Sequence, residues 1–180
     1  MKPDYYQQQQ HLSDWISQSS VDVFATLKFK NGYDISDQQA DRTLRIFLNK
    51  ADRTYFGKSL TKNGVKLNRY VFLHKGRSGT NTHYHVVFKS FGGISTFCQT
   101  VKNLWLSHCE ACPTSQITVI KDRRAVSNYC LHEFHLLKDK TFIPEYSNSD
   151  EPDAQDSSIN KRMYVARLVK ANYPIVLEED

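Results

Sequence analysis

What the 180-residue chain lacks narrows its function more than its overall composition does. Its four cysteines, Cys98, Cys109, Cys112 and Cys130, form no secreted-type disulfide framework and no apolar signal stretch opens the sequence, so a reducing compartment is expected. Cys109-Glu110-Ala111-Cys112 is a lone CxxC, and a zinc knuckle there would need outside ligands such as His108. No apolar run approaches the roughly 20 residues needed to span a membrane, so no membrane partner is expected. No GxxxxGK motif is present to cradle nucleotide phosphates, and the Lys/Arg-Gly-Phe/Tyr signature of an RNA-recognition sheet is missing. The length suits one domain with a full core and an extra segment, not a two-lobed doubly wound enzyme.

Acid without base is concentrated in one stretch. Residues 144–158 contain Glu145, Asp150, Glu151, Asp153 and Asp156 with no Lys or Arg, so this segment carries −5 of a formal net charge of +5 and leaves the remainder at +10. A remainder this basic favours a polyanionic partner, because neutralised phosphates release counterions.

The pattern divides the chain into a polar N-terminal arm or short helix (1–20), a catalytic-size domain (21–143), an acidic linker (144–158) and a C-terminal helix and tail (159–180). Within the domain, 22–30 reads as a first strand ended by Asn31-Gly32. Ser36 with Gln39 forms a capping box for a helix over 37–56, in which Ala40, Leu44, Phe47 and Ala51 recur at helical spacing. Two strands follow at 69–75 and 82–89, joined by the turn-rich 76–81. A helix over 94–108 presents Phe97, Val101, Leu104 and Trp105 on one face, a β-branched strand spans 115–121, and Asp122 caps a further helix. Residues 135–142 read as an added edge strand, and Ile159, Met163, Ala166 and Val169 mark a last helix over 159–171. The order β-α-β-β-α-β-α predicts an α+β domain, with an antiparallel central sheet, helices packed on one face and a ferredoxin-like outline.

The second strand of the hairpin carries the chemistry. In Thr82-His83-Tyr84-His85-Val86-Val87-Phe88 alternate side chains share a face, so His83, His85 and Val87 are set against Tyr84, Val86 and Phe88. The two imidazoles then lie about 7 Å apart along the chain. His74, at the end of the preceding strand, falls beside them in a hairpin. Three imidazoles leave coordination positions open for water and a substrate oxygen, the arrangement of a catalytic metal site. Tyr129 follows His85 by 44 residues, in Val126-Ser127-Asn128-Tyr129-Cys130-Leu131-His132-Glu133, where helical spacing lets Tyr129, His132 and Glu133 point from one face.

With these motifs the chain resembles the HUH endonucleases, the rolling-circle replication initiators of plasmids and of single-stranded circular DNA viruses. Phe24-Ala25-Thr26-Leu27-Lys28 is similar to that family's first-strand motif, His83-Tyr84-His85 to its metal motif and Tyr129-Cys130-Leu131-His132-Glu133 to its tyrosine motif, in the expected order. The family's third ligand, often a glutamate, lies on the strand before the dyad, where this chain has His74. Viral members carry a lysine three residues after the tyrosine; here His132 stands there, which puts the lysine's role in doubt.

The resemblance implies an RRM-like HUH fold and a metal-dependent, sequence-specific single-strand DNA endonuclease and strand transferase. Tyr129 would be its nucleophile, nicking a replication origin through a 5′-phosphotyrosine, with Mg²⁺ or Mn²⁺ as cofactor. Three imidazoles are a softer set than carboxylates, so Mn²⁺ is expected to outperform Mg²⁺. His132 would orient the tyrosine, take its proton or contact the phosphate, and Glu133 would hold His132 by a hydrogen bond. The expected substrate is single-stranded at the cut with a flanking hairpin, and host replication helicase and polymerase are further expected partners. Phe24, Thr26 and Lys28 on the first strand, with Tyr70 and Phe72 beside His74, offer stacking surfaces and a phosphate contact; Arg69, Lys75, Arg77, Arg123 and Arg124 are further DNA-binding candidates. The expected location is the cytoplasm for a bacterial, plasmid or phage protein and the host nucleus for a protein of a eukaryotic virus. The alternatives are a transposase or relaxase of the same chemistry, disfavoured because relaxases usually place the tyrosine before the histidines, and a non-catalytic single-strand-binding module.

Overall fold

The computed structural model describes residues 4–148. The expected C-terminal helix over 159–171, with Tyr164 and Tyr173, lies outside the described residues.

Four short strands form the centre: β1 (Val23–Lys28), β2 (Arg69–His74), β3 (His83–Phe88) and β4 (Gln116–Val119). They pair in the order β2-β3-β1-β4 and every pairing is antiparallel. This is the expected α+β architecture, in the interleaved order of a ferredoxin-like outline. Of the helices, α1 spans Asp4–Gln18, α2 Asp37–Lys62, α3 Ile94–Leu106, α4 Arg123–Cys130 and α5 Phe134–Leu137.

Strand alternation decides which side of the sheet becomes core. Val23, Ala25 and Leu27 of β1, Val71 of β2, and Tyr84, Val86 and Phe88 of β3 face α2 and α3, where they bury Leu44, Phe47, Phe97 and Trp105 in the larger cluster. Ser36 caps α2 as expected, accepting the Gln39 N–H at 3.2 Å, but the Gln39 side chain reaches Glu110 at 3.4 Å. The helix runs past Phe56 only by way of Gly57, whose φ of 71° breaks its axis where the sequence pattern ends. At Gly32, in the turn after β1, a Cβ would stand 2.4 Å from Asn81 Oδ1 and 3.1 Å from the Thr82 carbonyl, so a larger residue would have to displace the Asn81 side chain and crowd the start of β3.

The opposite face is covered too. Residues 1–20, expected to form a polar arm or short helix, supply the fifteen-residue α1, and its buried Ile16 joins Val21, Tyr70, Phe72, Val87, Cys130, Leu131 and Phe134 in a second cluster. Ser13 donates to Asn128 Oδ1 at 2.7 Å, and Arg124 pairs with Asp14, so α1 is fastened to α4.

Of residues 135–142, expected as an edge strand, 135–140 are helical through α5 and a 3₁₀ turn at Lys138–Lys140, and only Phe142 at the end of the range bridges to β2. The free edge of β2 is instead followed by 141–148: Leu73 donates to Thr141 at 2.8 Å, Ile143 to Val71 at 2.9 Å, and Arg69 and Asn148 exchange bonds of 2.8 Å. The first residues of the expected acidic linker therefore belong to the fold. No helix among the described residues is long and apolar enough to cross a membrane.

Arg69 corrects an expectation. Named as a DNA contact, it is 3% exposed and forks onto Asp52 of α2, 2% exposed, with nitrogen–oxygen distances of 2.5 and 3.0 Å; its Nε donates to the Tyr146 carbonyl at 2.9 Å. Asp52 also accepts the Leu67 N–H at 2.9 Å. This pair joins α2, β2 and the edge segment, and removing one partner leaves an uncompensated buried charge. Asp52→Ala should lower unfolding free energy by about 3–5 kcal/mol in urea titrations; a loss under about 1 kcal/mol, the value of an exposed pair, would contradict this role.

Candidate metal centre and tyrosine

The hairpin register builds the site. Because His74 pairs directly with His83, and Phe72 and Thr26 flank His85 on the neighbouring strands, all three imidazoles emerge from the face of the sheet opposite the larger core. Ring centroids are 4.3 Å apart for His74 and His85, 5.0 Å for His83 and His85, and 5.4 Å for His74 and His83. One ligand nitrogen from each lies within 4.8 Å of the others.

Each ring is held by its other nitrogen. His74 Nε2 lies 2.7 Å from the Cys130 carbonyl and His83 Nδ1 2.9 Å from the Asn81 carbonyl. A carbonyl only accepts, so these nitrogens carry the protons and leave His74 Nδ1 and His83 Nε2 with lone pairs. His85 Nδ1 meets the Thr26 hydroxyl at 3.2 Å, while His85 Nε2 and His74 Nδ1 are buried without a hydrogen-bond partner. Orphaned ring nitrogens aimed into a cluster of three, each ring oriented from behind, fit a divalent transition-metal cation.

Burial lowers all three affinities for protons: it pushes His74 down to about 4, and it holds His83 below and His85 well below the ordinary histidine value. The rings are therefore neutral near pH 7, the state that binds metal. The 3.6 Å approach of His74 Nδ1 to Glu133 Oε1 is then a neutral ring facing a carboxylate, not an ion pair.

Asp122 caps α4 by accepting the Ala125 N–H at 3.0 Å, and this helix carries Tyr129 over the histidines. The Tyr129 ring is 51% exposed, 5.0 Å from His85 and 5.9 Å from Phe24, both edge-on, and stacks on His132 at 5.0 Å and 27°. A half-open phenol at the mouth of a nitrogen-lined site is accessible to an incoming substrate.

Two expected roles change. Glu133 does not hold His132 by a hydrogen bond; its two oxygens accept the Lys75 N–H at 2.7 Å and the Gly76 N–H at 3.0 Å, tying the helix end to the hairpin turn. His132 Nδ1 lies 2.6 Å from the Tyr129 carbonyl, so its polar contact with Tyr129 is to the backbone.

The expected DNA contacts divide similarly. Phe24 stacks on His85 at 5.3 Å and 19°, and Thr26 turns its hydroxyl to the same ring, so both lie within the site. Lys28 is exposed on the same strand and Arg77 on the hairpin turn. Tyr70 and Phe72 are buried, Tyr70 against Trp15 at 4.7 Å, and neither presents a stacking surface. Lys75 pairs with Asp37 and Arg124 with Asp14, and Arg123 Nε donates to the Val21 carbonyl at 2.9 Å. Sequence reasoning allowed a short helix over residues 1–20 but missed its packing on the sheet, for which Leu12 and Ile16 at helical spacing gave a signal. It also missed the carbonyls of Asn81 and Cys130, for which residue identity gives none. Cys109 donates to Glu110 and Cys112 contacts Thr114, and no metal-capable group among the described residues includes either cysteine.

The depressed histidines set a pH dependence. Below about 6.5 the unfolded chain takes up protons on these rings, which the folded apo protein refuses until about 4 for His74. Stability of the apo protein should thus be full above pH 6.5 and fall as pH drops toward 4. Urea midpoints across this range test the sign, and a midpoint that rises on acidification would contradict it.

Compared with family models, curated proteins and solved structures, the chain has no match in any of the three.

Proposed function

We propose that the protein is a metal-dependent, sequence-specific single-strand DNA endonuclease and strand transferase that nicks a replication origin to initiate rolling-circle replication. The observation that carries this reading is the position of the Tyr129 ring, 5.0 Å from His85, beside three imidazoles that each bring one ring nitrogen within 4.8 Å of the others. The motif order read from the sequence, with its resemblance to HUH endonucleases, supplies the reaction type.

His74, His83 and His85 would hold the cation, which when bound supplies Lewis-acid charge toward the scissile phosphate. Tyr129 oxygen attacks phosphorus; a phenolic O–P bond forms as the bond from phosphorus to the 3′-oxygen breaks. The phenolic proton passes to solvent or a neighbouring base, and the departing 3′-oxygen takes up a proton. The products are a 5′-phosphotyrosine and a free 3′-hydroxyl. The new ester conserves the energy of the phosphodiester, so a later 3′-hydroxyl reverses the step and joins ends. Phe24 and His132 restrict the Tyr129 ring from the sides, which lowers the entropy lost in reaching the attack geometry. Lys28 and Arg77 lie exposed near the ligand strands and suit the phosphates that flank the cut.

Tyr129→Phe should abolish the denaturant-resistant adduct with a labelled single-stranded origin and leave hairpin binding within about twofold, since only the nucleophilic oxygen is lost. An unchanged adduct yield rules Tyr129 out. Nicking should be faster in Mn²⁺ than in Mg²⁺, because imidazole nitrogen favours the softer ion; the reverse order would contradict the three-imidazole ligand set.

A further inference from the structure

A second convergence of ligand atoms adjoins the first and has no role in the reading above. His74, His132 and Glu133 each bring one atom within 4.8 Å of the others. Glu133 Oε1 is 3.6 Å from both His74 Nδ1 and His132 Nε2, and the two rings are 4.7 Å apart.

The hydrogen bonds behind these atoms fix their character. His74 Nε2 is committed to the Cys130 carbonyl at 2.7 Å and His132 Nδ1 to the Tyr129 carbonyl at 2.6 Å. Both rings, when neutral, therefore turn a lone pair toward Glu133 Oε1. That oxygen accepts the Gly76 N–H at 3.0 Å and keeps a second lone pair. Three acceptors thus face one another with no donor between them, and His74 Nδ1 is fully buried with no hydrogen-bond partner. A positive charge relieves such an arrangement, whether a proton on the half-exposed His132 or a cation among the three atoms, and only a cation also gives the buried His74 Nδ1 a partner. The spacing suits an ion: ligands about 2.1 Å from a tetrahedral cation lie about 3.4 Å apart, close to the two separations of 3.6 Å.

We propose that His74, His132 and Glu133 form a second position for a divalent first-row transition-metal ion, next to the three-imidazole position and sharing His74 with it. This inference rests on the reading of His74, His83 and His85 as metal ligands. A ring nitrogen binds one ion at a time, so the two positions are alternatives and the chain holds one ion. The set of two imidazoles and one carboxylate matches known catalytic zinc sites. It lies on the Tyr129 side of His74, because His132 is the residue that stacks on Tyr129. His132 is then a metal ligand, neither a proton acceptor for the phenol nor a free cation.

The test is Co²⁺ binding by the full chain, followed by visible absorption and titration, with no DNA and no turnover. His83 and His132 are not part of either apolar cluster, so their substitution spares the core, and far-UV circular dichroism verifies this. Wild type should bind one Co²⁺ per chain. His83→Ala should still bind, about tenfold or more weaker, with a changed spectrum. Adding His132→Ala or His132→Lys to His83→Ala should weaken binding by a further tenfold or more. If both double variants bind Co²⁺ with the same affinity and spectrum as His83→Ala, and all three bind more weakly than wild type, the second position is overturned while the three-imidazole site stands. If wild type binds no Co²⁺, both are overturned.

Discussion

The register of the β2–β3 hairpin is the constraint on which the site depends. Strand side chains alternate faces, so a slip of one residue would send His83 and His85 into the core against Trp105 and bring Tyr84 and Val86 out beneath Tyr129. Several features hold the pairing where it is. Tyr84, Val86 and Phe88 occupy the larger apolar cluster. The turn at 76–81 uses Gly76 and Gly79 at φ of 67° and 72°. The far edge of β2 is bonded to 141–148, and Arg69, at the start of the same strand, is locked to Asp52. Apolar burial on one face thus fixes polar convergence on the other.

Convergence of unprotonated imidazoles is costly without compensation, since buried polar atoms favour partners. The fold meets half of this requirement by giving one nitrogen of each ring a carbonyl or hydroxyl. The other half is left to whatever enters the site. Glu133 contributes by fixing the helix end to the backbone of the hairpin turn, so that the segment carrying Tyr129 is tied to the hairpin carrying His74 and His83.

Much of this was legible in the sequence. Alternation in 82–88 gave the faces of β3, and the turn-rich 76–81 placed His74 beside the dyad. Ser36 and Asp122 marked two helix starts correctly. Other features were hidden because they depend on tertiary partners. Arg69 reads as a surface cation until Asp52, seventeen residues earlier on a helix, is brought to it. Tyr70 reads as a stacking platform until α1 covers it, and the polar glutamines of that helix mask the short Leu12–Ile16 stripe. Residues 141–148 cross the edge of β2 through isolated bridges, without a strand pattern to announce them. The role of Glu133 follows from backbone N–H groups, which residue identity does not reveal.

The central claim is that Tyr129 becomes joined to DNA in a reaction that needs the histidine-bound cation. It is tested most directly by incubating the full chain with a single-stranded origin carrying its hairpin and Mn²⁺, digesting with nuclease and trypsin, and sequencing the modified peptide by mass spectrometry. Trypsin releases residues 125–138, in which Tyr129 is the one tyrosine. A nucleotide 5′-phosphate is expected on Tyr129, absent when the metal is chelated. The same modification on another tyrosine, or its formation in the presence of chelator, would contradict it.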